Sequence, residues 1–166
     1  MTYELKKLAA SSLAAALAKA IRYRDLNQPE EAESICRDIL DVAPGHPEAL
    51  RELGLALTDR FPTAWTHLFD EAVATFAKLS AEYERLYYTG VAWERLAKAH
   101  LEQNQAHNAA HAFENALGLF GRAGEVAPAS PDPTLRWNRC VRALQSHPAL
   151  LEATQKPRDP EYEFGD

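Results

Sequence analysis

Residues that favour sheets are scarce here. The chain has 7 Gly in 166 residues and few Val, Ile or Thr runs, so helices are the expected element throughout. No stretch reaches the roughly 18 consecutive apolar residues of a membrane span, and no membrane role is expected. Basic charge is in deficit: 18 Lys and Arg face 24 Asp and Glu, a net charge of −6. General nucleic-acid binding, which draws on clustered cations that release counterions, is therefore not expected. The 2 cysteines, Cys36 and Cys140, lie far apart within apolar helical patterns and read as small buried hydrophobes in a reducing compartment.

Catalytic signatures are also missing. There is no phosphate-binding glycine loop, dinucleotide fingerprint, nucleophile elbow or Ser-His-Asp order, so no enzyme activity and no cofactor are expected. His107-Asn-Ala-Ala-His111 has the one-turn spacing of a zinc pair. Asn108, however, stands where the general-base Glu is needed, and no third ligand is near, so the pair is expected to be solvated rather than metal-binding. The carboxylate pairs Glu30/Glu31 and Glu82/Glu84 read as charges favoured by helix dipoles or by solvent.

What is present is helix punctuation. Pro29, Pro47, Pro62, Pro133 and Pro148 sit where helices should begin, because a first-turn proline loses no hydrogen bond and presets φ. The pattern predicts helices over 4–26, 29–43, 47–60, 63–83, 86–103, 106–126 and 133–145, with a short turn near 148–154. Residues 127–133, with three prolines, form a stiff elbow. Lys6-Lys7 and the Ala-rich run to Ala20 imitate a secretory leader. The run is weakly apolar, Glu4 dilutes the positive end, and cleavage would remove the first helix, so a cytoplasmic location is expected. The chain divides into a helical domain, 1–153, and an acidic tail, 154–166. Tyr162 and Phe164 in that tail could dock on the protein itself or on a neighbouring copy.

Three units share one phase. Tyr23, Asn27, Ala32, Cys36, Ile39 and Pro44 belong to the first. Leu50, Leu53, Gly54 and Leu57 open the second, followed late by Ala72, Phe76 and Leu79. The third holds Trp93, Leu96, Ala97, His100, Asn104, Ala109, Phe113 and Ala116. This alternation resembles the tetratricopeptide repeat family. Leu13 to Pro47 is 34 residues, the period of that repeat, whereas Pro47 to Gly90 is 43, so the middle unit is stretched. The resemblance implies a right-handed α-α superhelix, a solenoid of about seven helices. Small residues at Gly54, Ala97, Ala32 and Ala109 would let helices approach, with Trp93, Phe76 and Phe113 filling between them. A capping helix is expected to turn Leu135, Trp137, Cys140, Val141 and Leu144 inward and Arg136, Arg139 and Arg142 to solvent.

The resemblance also implies a function. Members of the family line a concave groove with the first helix of each unit, here Leu17, Ile21 and Arg24, then Arg51, Leu55, Thr58 and Asp59, then Glu94, Lys98 and Leu101. The expected role is an adaptor that binds a protein or peptide there, through apolar burial and charge selection. A small chaperone for secreted proteins and a self-assembling module, for instance a homodimer, are the alternatives. Tyr83, Tyr87 and Tyr88 could be core or a partly exposed binding patch, with Trp65 and Phe69 near them.

Overall fold

The computed structural model describes residues 3–155, apart from the side chains of 65, 66 and 155. Among them every regular element is helical. A 3₁₀ turn, Ala10–Ser12, leads into α1 (Leu13–Asp25), and then follow α2 (Pro29–Val42), α3 (Pro47–Asp59), α4 (Phe61–Phe76), α5 (Glu82–Glu102), α6 (Ala106–Val126), α7 (Asp132–Ser146) and α8 (Pro148–Gln155). Each helix packs on the next. In addition α1 touches α3, α3 touches α5 and α6 touches α8.

Two of the turns are the same device. Asn27 and Asn104 both take positive φ, 58° and 59°, a conformation that asparagine tolerates better than most residues. The amide of Gln28 then reaches back to the Tyr23 carbonyl, and that of Gln105 to the His100 carbonyl, each at 2.9 Å. Both are the backbone closure that ends a helix with a left-handed residue. The buried His100 ring reinforces the second turn by sharing a 2.6 Å hydrogen bond with Gln105 Oε1.

Small residues do allow close approach. Ala32, Ala97 and Ala109 are fully buried. A Cβ on Gly54 would lie 2.2 Å from the ring of Phe76, so α3 and α4 meet through a gap that only glycine leaves. Gly90 does the same for Phe120, 2.7 Å from where its Cβ would stand, at the contact of α5 with α6. Phe61, Phe76, Phe113 and Phe120 are fully buried around these contacts. Trp93 is partly buried, edge-on to Phe69 at 4.6 Å.

Three expectations are corrected. The first helix begins at Leu13 rather than residue 4: Tyr3 and Leu5 are 89% and 95% exposed, and helix propensity without a packing surface does not hold so short a segment. The fourth helix stops at Phe76 rather than continuing to 83. Arg85 Nη1 donates to the carbonyls of Leu79 and Ser80, at 2.8 and 2.6 Å, so this break is satisfied by a side chain with no proline or glycine involved. The extra length of the middle unit lies in the 77–81 connection and in α4, whose Ala64 leaves the helical region at φ −152° and ψ 34°. Third, α7 is turned about its axis relative to the expectation. Leu135 and Trp137 are 62% and 40% exposed, Pro133 and Cys140 are buried, and Ala143 and Leu144 pack on the core. Arg136 and Arg139, expected in solvent, reach back to α5.

Candidate binding face

On α5, Glu94 is fully buried although it is a carboxylate. Burying such a charge is costly unless it is paired and hydrogen-bonded. Lys98 Nζ lies one turn along the same helix at 2.5 Å, and from α7 Arg136 Nη1 donates at 3.0 Å and Arg139 Nε at 3.1 Å. Burial alone would push the Glu94 carboxyl up. The hydrogen bond and charge of Lys98, with those of Arg136, more than offset it and leave the group below the ordinary carboxylate range. Arg136 also donates to the Tyr87 hydroxyl at 3.4 Å.

A second cluster joins α1, α3 and α5. Arg24 Nε bonds Glu52 at 2.9 Å and Nη1 lies 3.7 Å from Asp59. Asp59 pairs with Arg95 at 2.6 Å. Arg95 also donates to the Leu55 carbonyl, at 3.1 Å, and to the Thr58 hydroxyl. Thr58 in turn donates to the Leu55 carbonyl at 2.8 Å. Burial raises the Asp59 carboxyl despite Arg95 and Arg24, and it lowers the Arg95 guanidinium despite Asp59. Arg51 completes the face, 3.3 Å from Glu84. Among the described residues no buried polar side-chain atom lacks a hydrogen-bond partner.

The residues anticipated for the groove are therefore placed unevenly. Arg24, Arg51, Asp59 and Lys98 are partly exposed members of these charge clusters. Leu55, Thr58 and Glu94 are buried and support the face from beneath. Ile21 is 37% exposed. Leu101 is partly buried against the main core, and Leu17 against the separate cluster of Ala16, Ile39 and Ala49. Sequence reasoning missed Glu52, Arg95, Arg136 and Arg139. Arg95 had a signal, since it lies three residues before Lys98 and helical spacing sets the two side by side. The α7 arginines had none, because the apolar residues of that helix suggested a different rotation.

The remaining candidates also have places. Tyr83, Tyr87 and Tyr88 are partly buried and stack in series: Tyr83 on Tyr87 at 5.7 Å, Tyr87 edge-on to Tyr88 at 5.2 Å, and Tyr88 on Phe76 at 5.5 Å. Phe69 instead joins Phe61 and Trp93, and the Trp65 side chain lies outside the described residues. His107 and His111 are exposed, and the His111 ring stands edge-on to Trp93 at 6.2 Å. Cys36 and Cys140 are free and buried, and burial pushes both thiols up to about 12. Among the described residues no group of three or more His, Cys, Asp or Glu could hold a metal ion, and no helix is long and apolar enough to cross a membrane. Tyr162 and Phe164 lie outside the described residues. No protein-family model matches the chain, and no curated protein matches it.

Proposed function

We propose that this chain is a protein-interaction scaffold of tetratricopeptide type, a right-handed stack of helix pairs whose α1, α3 and α5 present a charged concave face to a peptide or partner protein. The observation that carries the reading is the row of ion pairs from Arg24 through Asp59 to Arg95, which crosses three helices distant in sequence. Contacts of α1 with α3 and of α3 with α5 support it, since the first helices of successive units then stand beside one another. The matching asparagine turns after α1 and α5 support a repeated unit. Fixed charges of both signs favour a guest that carries both signs, because complementary potentials select partners more than they add affinity.

Capture from cells of origin tests the proposal. The bait is the wild-type chain beside the double variant Arg51→Glu/Lys98→Glu, and the co-purifying protein is identified and then rebound in purified form. Both substituted side chains are partly exposed, but Lys98 also pairs with the buried Glu94, so the variant should melt lower than wild type, and binding is compared at a temperature where circular dichroism shows both baits folded. Loss of at least about tenfold in affinity, or 1.4 kcal/mol, is expected. Equal binding by the two baits would move the site off this face, and a single self-associated species in sizing chromatography would replace the adaptor reading with self-assembly.

A further inference from the structure

Helix α7 divides two unlike grooves. On its α5 side, Tyr87, Asp132, Leu135, Arg136 and Arg139 line a cavity of about 320 Å³. On its α6 side, Phe120, Gly121, Gly124, Pro133, Thr134 and Trp137 line one of about 190 Å³. The second has a floor of glycine backbone: Trp137 lies 3.4 Å from where a Cβ on Gly121 would stand. Two guanidinium groups, with the Asp132 carboxylate beside them, thus flank one side of the helix, and a mainly apolar slot the other.

We propose that residues 161–166 of this same chain, Glu-Tyr-Glu-Phe-Gly-Asp, bind in cis along α7, with Glu161 and Glu163 on Arg136 and Arg139 and the rings of Tyr162 and Phe164 in the α6–α7 slot. Alternation is the first argument. In an extended segment successive side chains point to opposite sides, so two acids would face one way and two aromatics the other, matching the two flanks. Charge is the second argument. Lys98, Arg136 and Arg139 converge on the single carboxylate of Glu94, which leaves excess positive charge on a chain that is acidic overall. Arg139 is well exposed, its side chain 62% accessible, and a guanidinium has five N–H donors, more than its bond to Glu94 uses.

Reach is sufficient. From Arg139 to the end of α7, and again along the 8 residues of α8, the rise is about 12 Å each. Gln155 therefore lies no more than about 25–30 Å from Arg139, and less because α8 packs on α7. Glu161, six residues past Gln155, is reached by about 20 Å of extended chain and Phe164 by about 30 Å, so it is the packing of α8 against α7 that brings Arg139 within range. Tethering also supplies an effective concentration on the order of millimolar, which an external acidic peptide would have to match. The contact does not depend on whether the face of α1, α3 and α5 takes a partner.

The test uses the full chain carrying Gly165→Cys with a nitroxide on that thiol. Cys36 and Cys140 are fully buried, so the label goes to position 165. Amide NMR signals of residues 134–141 should lose most of their intensity relative to the reduced label. They should recover it in about 1 M salt, where screening shortens to about 3 Å, and in Arg139→Glu. Should Arg139→Glu disturb the fold, Tyr162→Ala/Phe164→Ala and Glu161→Lys/Glu163→Lys decide the matter, because both keep every residue of helices α1–α8 unchanged and both should restore the signals. Broadening confined to residues after Ser146, or unchanged in the tail variants, overturns the proposal. So does broadening that passes between molecules when labelled chains are mixed with isotope-enriched unlabelled ones, which would assign the surface to a second copy.

Discussion

Replacing Gly54 with alanine should destabilise this protein, although the same change stabilises most helices. In a helix interior alanine is favoured over glycine by about 0.5–1 kcal/mol because it loses less backbone entropy. At Gly54 the new methyl would stand 2.2, 2.5 and 2.7 Å from three carbons of the Phe76 ring, where ordinary contact is 3.4–4 Å. The ring would have to retreat by more than about 1 Å, in a core packed to crystal-like density. Phe76 has no room to do so, being fully buried and stacked on Tyr88 at 5.5 Å. Overpacking of this kind costs about 1–3 kcal/mol, so a net loss of about 1–2 kcal/mol is expected, lowering Tm by about 2–8 °C for a chain of this size. Gly118→Ala is the control. Nothing lies within 4 Å of its Cβ position, so its Tm should rise by about 2–4 °C. Adding Phe76→Leu to Gly54→Ala should relieve the clash, making the double variant more stable than the sum of the single ones by about 0.5–3 kcal/mol. Calorimetric melts of wild type and the four variants, Phe76→Leu alone included, measure this. A Gly54→Ala variant as stable as wild type, or strict additivity with Phe76→Leu, would refute the close approach of α3 and α4.

Three further outcomes are expected. Glu94→Gln removes the charge that holds Lys98, Arg136 and Arg139 and should cost about 1–3 kcal/mol at pH 7 by urea titration, below the ~3–5 kcal/mol of a fully buried pair because these partly exposed cations can rehydrate. Since folding lowers the Glu94 pKa, its stabilisation is complete above the unfolded value of about 4.3 and is lost as pH falls through the lowered folded value. Wild type should therefore lose its margin over Glu94→Gln in acid, whereas Asp59, raised by burial, contributes a slope of the opposite sign. Cys36 and Cys140, with thiols pushed up to about 12, should not react with a thiol reagent at pH 8 until denaturant is added; rapid native labelling would show that the burial is wrong. Arg85→Ala strips the donor from the Leu79 and Ser80 carbonyls and should lower stability by about 1 kcal/mol with an unchanged denaturant slope.

Much of the local architecture was legible in the residues alone. Prolines at 29, 47 and 148 open α2, α3 and α8, and those at 62 and 133 sit in first turns, because ring geometry acts within a few bonds. Asn27 and Asn104 close α1 and α5 for an equally local reason, tolerance of positive φ. Gly54 and Ala97 announced close approach through their size, and burial bears this out. The break after Phe76 was not legible, since it depends on Arg85 folding back over two carbonyls rather than on any residue that refuses a helix. Nor was the rotation of α7: its apolar stripe pointed Leu135 and Trp137 inward, but satisfying a buried carboxylate 42 and 45 residues earlier turned Arg136 and Arg139 there instead. Helix type, and the helix starts marked by proline, were thus settled by the chain itself, through steric and capping preferences that act over one turn. Which charged groups meet on the candidate face was decided by the tertiary structure, because the cost of burying Glu94 or Asp59 exists only once distant helices have excluded water from them.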